Sequence, residues 1–147
     1  MPLQYVETEN KIIMNQEKSK LLFVNAINAI RMKGGEGNYL IIELSTDYYL
    51  QLACAKDSDE IFCEAVSNNF ISLPKHLDTN KQNRLVEIGW EKPVKKKDNY
   101  SKTVIIKNDL DVITLVEKML ITASEIYNVA EIKESMFDME LDGPEED

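Results

Sequence analysis

The spacing of hydrophobic positions divides the first part of the chain into one helix and three strands. In residues 16–33, apolar side chains recur at steps of three and four, which is the spacing of one helical face. The glycines of GGEG at 34–37 end that segment. Three strand-like runs follow: YLIIEL from Tyr39, YYLQLACAK from Tyr48 and EIFCEAV from Glu60. Because only short polar breaks separate these runs, the pattern predicts an antiparallel meander.

The alternation within the strands assigns some of their faces. In the second run, the positions in register with Tyr48 are all apolar, whereas the intervening set contains Gln51. In the third run, neither set is purely polar, since Phe62 alternates with Ile61. We therefore expect a sheet that is covered on one side and half covered on the other. A half-covered apolar face is typical of a binding or dimerisation surface.

A polar, turn-rich segment leads from the meander into a short helix. Asp78 or Thr79 is suited to cap the start of this helix, and Gly89 to close it. Trp90 follows at the turn, and Pro93 prevents any continuation of the helix.

The second half of the chain supplies one more strand and a long helix. KTVIIK at 102–107 is β-branched and predicts a fourth strand. A wide apolar stripe predicts a final helix that starts near Asn108 or Asp109, whose side chains are good caps, and runs to about Tyr127. The fold class is therefore α+β: an antiparallel meander sheet with the N- and C-terminal helices packed on one side.

The distribution of charge predicts where the domain ends. The chain has 147 residues, is 44% hydrophobic and carries a net charge of −9. Residues 131–147 contain eight acidic residues and one lysine, so this segment carries −7 and the preceding 130 residues −2. We predict a single domain over 1–130 and an acidic, flexible tail over 131–147. The apolar residues of MFDMEL leave a second interpretation, a short element that docks on this chain or on a partner: Met136, Phe137, Met139 and Leu141.

Candidate catalytic chemistry is sparse. His76 is the sole histidine, and GGEG lacks the Lys-Ser or Lys-Thr of a phosphate loop. Cys54 and Cys63 lie in apolar runs and are interpreted as reduced core thiols, which lie close together if their strands are neighbours. We therefore predict no catalytic, metal-binding or cofactor-binding residues and no enzyme activity.

Charge and hydropathy bear on partners and location. A main body near neutrality does not favour a nucleic-acid partner. The N-terminus has neither a basic nor an apolar leader segment, and no run approaches 18 apolar residues. We expect a cytoplasmic protein without a membrane partner.

The order of elements and motifs resembles a known family. The order is a helix, a three-stranded meander, an SN-containing loop, a short helix ending in LxxxGW, a proline, an N-aromatic pair and a long helix. It is similar to the type III secretion chaperone-like peptide-binding family called TY-Chap, which is related to YbjN-like proteins, and the resemblance covers about residues 16–130. The matching residues are Glu64, Ser67, Asn68, Leu85, Gly89, Trp90, Pro93, Asn99, Tyr100, Tyr127 and Val129.

This resemblance implies a noncatalytic, bacterial chaperone-like module, commonly a homodimer, that binds a peptide or protein through an exposed sheet face. The residues predicted to line that surface are Tyr48, Tyr49, Gln51, Phe62 and Glu64. The alternative is an immunity or antitoxin-like protein that neutralises one folded partner.

The motif residues themselves are assigned to the fold. Trp90 is predicted to be a buried anchor between the short helix and the sheet. Ser67 and Asn68 are predicted to brace a turn, and Asn99 and Tyr100 to fasten a loop.

Overall fold

The structure of the protein, a computed structural model, describes residues 3–143, and for residues 3–13 it describes the backbone alone. The last four residues of the predicted tail lie outside this range. Three α-helices, five β-strands and two short 3-10 helices make up its regular structure. Their bounds are α1 Leu3–Met32, β1 Asn38–Glu43, β2 Tyr49–Cys54, β3 Glu60–Ala65, a 3-10 turn Leu73–Lys75, α2 Thr79–Ile88, β4 Tyr100–Ile105, α3 Asp109–Glu125, a 3-10 turn Glu134–Met136 and β5 Phe137–Glu140.

The first helix carries the predicted apolar stripe but begins well before the predicted start at residue 16. Phe23 and Ile27 on this stripe are fully buried. The helix ends at the GGEG turn, where Gly34 has a φ of +71°. A β-carbon added to Gly34 would lie 2.2 Å from the side-chain oxygen of Asn38. The side-chain nitrogen of Asn38 donates to the Ile30 carbonyl at 2.8 Å and to the Lys33 carbonyl at 2.6 Å, at the end of the helix. The turn therefore requires glycine both for its backbone conformation and for space.

The strands form one antiparallel sheet in the order β4, β3, β2, β1, β5. The hairpins β1–β2 and β2–β3 confirm the predicted meander. Leu40 lies opposite Leu52, and Leu52 lies opposite Cys63. This register places the apolar positions of all three strands on the same face.

The helices pack against that face, as predicted for this α+β fold. The fully buried strand residues on it are Leu40, Ile42, Leu50, Leu52, Ile61, Cys63 and Ala65, with Cys54 at 5% exposure. Both cysteines are free thiols in this core. Because the three α-helices of residues 3–143 lie on this side, no helix of that range covers the opposite face of the sheet.

The capping residues of α2 and α3 agree with the sequence predictions. The Asp78 carboxylate accepts from the Lys81 N–H at 2.8 Å, and the Asn108 side chain accepts from the Asp111 N–H at 3.0 Å. In contrast, β4 spans Tyr100–Ile105 rather than 102–107, because it pairs with β3 from Ala65 opposite Tyr100 to Glu60 opposite Ile105.

The segment after residue 130 differs from the predicted flexible tail. Phe137–Glu140 pairs with β1 as the fifth strand, so the folded region extends past the predicted boundary. The Phe137 ring makes an edge-to-face contact with Phe23 at 5.5 Å. Ile132 is buried, and its N–H donates to the Ser19 hydroxyl at 2.9 Å. Met136, Phe137 and Met139 pack against the core, so this segment forms a docking element on the same chain, which was the second interpretation, whereas Leu141 is exposed.

Candidate functional site

The uncovered face of the sheet, hereafter the open face, is built by strand side chains that point away from the helices. Its outward residues come from all five strands: Tyr39, Ile41 and Glu43 of β1, Tyr49, Gln51 and Ala53 of β2, Glu60, Phe62 and Glu64 of β3, Ser101, Thr103 and Ile105 of β4, and Asp138 and Glu140 of β5. The pairing aligns them into rows across the sheet. One row runs from Glu140 through Tyr39, Ala53 and Phe62 to Thr103.

Apolar side chains occupy the part of the open face nearest β3 and β4. Phe62 is 43% exposed and Ile105 is 46% exposed. Between Tyr39 and Phe62, the small side chain of Ala53 leaves a shallow depression of about 460 Å³. Exposed aromatic and branched side chains beside a depression provide area that a partner can bury.

Acidic side chains surround these apolar residues. The five carboxylates of the open face are Glu43, Glu60, Glu64, Asp138 and Glu140, and no lysine or arginine points outward from the five strands. Among the residues that the structure describes, none of the five forms an ion pair. The Tyr39 hydroxyl donates a hydrogen bond to Glu140, and this bond raises the pKa of Tyr39. Partial burial, and secondly the charge of Asp98, raise the pKa of Glu64.

Four of the five residues predicted to bind a partner lie on the open face: Tyr49, Gln51, Phe62 and Glu64. Tyr48 does not lie there. It precedes β2, its ring packs on that of Tyr127 with 5.1 Å between centroids, and its hydroxyl donates to the Lys75 carbonyl at 2.8 Å. The alternation along the strand sends Tyr48 to the helix side, as it does Leu50. The binding role of the other four stays a prediction.

The sequence pattern does not identify several residues of the open face. In β1 both sets of alternating positions are apolar, so Tyr39 and Ile41 carried no signal of their orientation. Ile105 belongs to a strand whose face was not assigned. Asp138 and Glu140 were counted with the tail, although their alternation with Phe137 and Met139 was a signal of a strand.

The SN motif ties one end of the open face to the loop before β4. The Asn99 carboxamide accepts from the Ser67 N–H at 3.0 Å and donates to the Tyr49 hydroxyl at 3.1 Å. The Ser67 hydroxyl donates to the Asp98 carbonyl at 2.8 Å. This confirms the bracing role predicted for Ser67 and shows that Asn99 positions a residue of the open face.

Asn68 braces the following loop. Its carboxamide oxygen accepts from the Leu77 N–H at 2.7 Å, and its nitrogen donates to the Leu77 carbonyl at 3.1 Å. This paired interaction closes the loop between β3 and α2, as predicted.

The LxxxGW motif joins α2 to α3. Leu85 is fully buried, and Gly89 ends the helix at a φ of +123°. Trp90 is 5% exposed, and its indole N–H donates to the Thr122 hydroxyl at 3.0 Å. Trp90 is therefore buried, as the sequence predicted, but its hydrogen bond anchors the end of α2 to α3 rather than to the sheet.

The remaining motif residues complete the core at the same end of the sheet. Pro93 lies after Glu91, whose backbone forms an isolated bridge with Ser101 of β4. The Tyr127 hydroxyl donates to the Val66 carbonyl at 2.7 Å inside the core, and burial raises the pKa of Tyr127. Together with the buried Tyr100, these contacts stabilise the fold rather than form a ligand site.

Groups suited to catalysis or metal binding are not gathered in the described part of the chain. His76 lies in an exposed loop, with its Nε2 atom 2.9 Å from the Ile71 carbonyl. Among the side chains of residues 14–143, which the structure describes, no three His, Cys, Asp or Glu are grouped for a metal ion. The helices of residues 3–143 include none with the length and hydropathy to cross a membrane.

Comparison with known proteins agrees with this architecture. The family model TY-Chap3, described as "T3SS (YopN, CesT) and YbjN peptide-binding chaperone 3", matches residues 25–132. Searches of curated proteins and of solved structures find no significant match. The matched region runs from within α1 past the end of α3 and contains β1 to β4 and the motif residues. Since it covers well over half of the 147 residues, the chain belongs to the TY-Chap3 family of peptide-binding chaperones.

Proposed function

We propose that this chain is a noncatalytic, chaperone-like module that binds a peptide segment of a partner protein on its open face. The observation that carries the proposal is the exposure of Phe62 and Ile105 on a sheet face that no helix covers. The family description, a peptide-binding chaperone, supports the same role.

The physical basis is nonpolar burial with modest demands on the bound sequence. Fully burying an exposed Phe side chain contributes on the order of 1.5–3 kcal/mol. Phe62 is 43% exposed, so covering the rest of it contributes roughly 1 kcal/mol, from which the cost of ordering the bound segment is subtracted. The open face rests on a rigid support, because Leu50, Ile61 and Cys63 behind it are fully buried. Such a surface needs neither a nucleotide nor a metal to hold a nonglobular segment.

The test is affinity capture from the native cell with mass spectrometry, comparing the wild-type chain with Phe62→Asp. We expect Phe62→Asp to lose the captured partner while its thermal melt stays within a few degrees of wild type, because the Phe62 ring projects outward. Leu21→Asp is the matched control, since Leu21 is 62% exposed on α1, on the helix side of the sheet. Retention of the partner by Phe62→Asp, or equal loss by Leu21→Asp, would contradict the proposal.

The captured partner then serves to distinguish a chaperone from an immunity-like protein. A chaperone binds an isolated peptide from that partner, whereas an immunity-like protein requires the folded domain. Titration of the chain with the peptide and with the intact domain by calorimetry distinguishes the two.

A further inference from the structure

The charge of the open face restricts what can lie on it. Its five outward carboxylates have no outward lysine or arginine among them. Lys102 of β4 belongs to the helix side, where it approaches Gly89. A segment placed on the open face therefore meets negative charge from β1, β3 and β5 with no compensation from the strands themselves.

The carboxylates are placed regularly around the apolar residues. Along β3 the outward positions are Glu60, Phe62 and Glu64 in succession, so each carboxylate lies about 7 Å along the strand from the aromatic ring. Glu60 and Phe62 are exposed, and Glu64 is half-buried. An extended partner has the same repeat, because its side chains on one face also recur every two residues.

Two acidic occupants are disfavoured by this charge. A second copy that paired face to face would bring five carboxylates against five, which costs energy at each close contact. The acidic end of the chain itself has the same sign. The charge complementarity therefore points away from self-association through the open face and toward a cationic segment.

We propose that the segment bound by the open face carries Lys or Arg two residues before and two residues after an apolar side chain. The apolar side chain rests on Phe62, and the cations meet Glu60 and Glu64. The inference depends on the proposed function, since it specifies the chemistry of the peptide that the open face binds.

The test uses three nine-residue, fluorescein-labelled peptides with blocked termini: KTLTKTLTK, QTLTQTLTQ and ETLTETLTE. Fluorescence anisotropy with the full chain in 50 mM NaCl should show at least tenfold tighter binding of the lysine peptide than of the glutamate peptide. The neutral peptide should fall between them. Raising the salt to 500 mM should remove most of the difference, because charges near the surface are screened over a few ångströms at that concentration.

Variants locate the effect. The double variant Glu60→Lys/Glu64→Lys should reverse the order of the peptides, and Glu60→Gln/Glu64→Gln should abolish the preference with less risk to folding. The matched control is Glu17→Lys/Glu131→Lys, which makes the same change in net charge at exposed positions of α1 and of the segment after α3. Circular dichroism checks that each variant is folded.

The outcomes separate this inference from the proposed function. If Phe62→Ser weakens all three peptides while the charge variants change nothing, the open face binds peptide but the charge inference is wrong. If Phe62→Ser changes the affinity of no peptide, the proposed function fails at this surface. Equal loss of preference in the control variant, absence of binding by all three peptides, or a dimer in sedimentation that Phe62→Asp converts to a monomer would each overturn the inference.

Discussion

Replacing Phe137 by Ala should lower the free energy of unfolding by about 2 kcal/mol. Truncating a fully buried Phe to Ala costs about 3–5 kcal/mol. Phe137 is only partly buried in β5, so roughly half of that range applies, and it includes the edge-to-face contact with Phe23 at 5.5 Å. An aromatic pair of this kind contributes about 0.5–1.5 kcal/mol beyond its area.

The assay is urea unfolding followed by circular dichroism, with a thermal melt as a second measurement. For a chain of this length, a loss of 2 kcal/mol lowers the melting temperature by about 4–8 °C. Asp138→Ala is the matched control, because Asp138 lies on the same strand but is exposed on the opposite face of the sheet. Its effect should stay within about 0.5 kcal/mol.

Truncation after residue 130 should have a larger effect than Phe137→Ala. It removes β5 together with Ile132, which is 2% exposed, and leaves the Ser19 hydroxyl without two of its contacts. If Phe137→Ala and the truncated chain both unfold like the wild type, β5 does not stabilise the domain. Residues 131–147 would then behave as the flexible tail that the sequence predicted.

Three further predictions concern the helix side. Contact with Lys102 and partial burial lower the pKa of Lys118. Lys118→Met should therefore raise the melting temperature at pH 7, and the gain should shrink as the pH rises through the pKa of Lys118. No gain in melting temperature at pH 7 contradicts this prediction. Trp90→Phe removes the hydrogen bond to Thr122 and part of a buried ring, and should lower the free energy of unfolding in urea by about 2 kcal/mol. A loss below about 0.5 kcal/mol contradicts the anchoring role of Trp90. Burial raises the pKa of Cys63 to about 12. Ellman's reagent at pH 8 should therefore label the Cys63 thiol within minutes in denaturant but not in the native chain. Equally rapid labelling of the native chain contradicts the place of Cys63 in the core.

Local chemistry predicted several elements because it acts within a few residues. The caps Asp78 and Asn108 and the terminating Gly89 set the ends of α2 and α3 through hydrogen bonds and backbone conformation that are internal to each helix. The turn-rich breaks between the first three strands likewise predicted the meander. The burial of Trp90 followed from its place after a helix-ending glycine.

The candidate site was predicted only in part. The alternation in β2 separated Gln51 from the apolar positions of that strand, and Gln51 lies on the open face. In β3 neither set of alternating positions is purely polar, so the face of Glu64 is fixed by its pairing with Gln51. The alternation in β2 also places Tyr48 in the apolar register of Leu50, and that register faces the helices, so Tyr48 does not lie on the open face. The contribution of β5 was missed because its acidic composition resembles that of a flexible tail.

The sequence alone determined the class of the fold, since hydrophobic period, caps and turn residues depend on near neighbours along the chain. Tertiary structure decided which face of the sheet the helices cover and which strand pairs with the free edge of β1. The pairing Tyr39 with Glu140 joins residues far apart in the chain, and no local pattern specifies such a partner. The open face and its uncompensated charge therefore exist only once β5 has docked and every helix has packed on the other side.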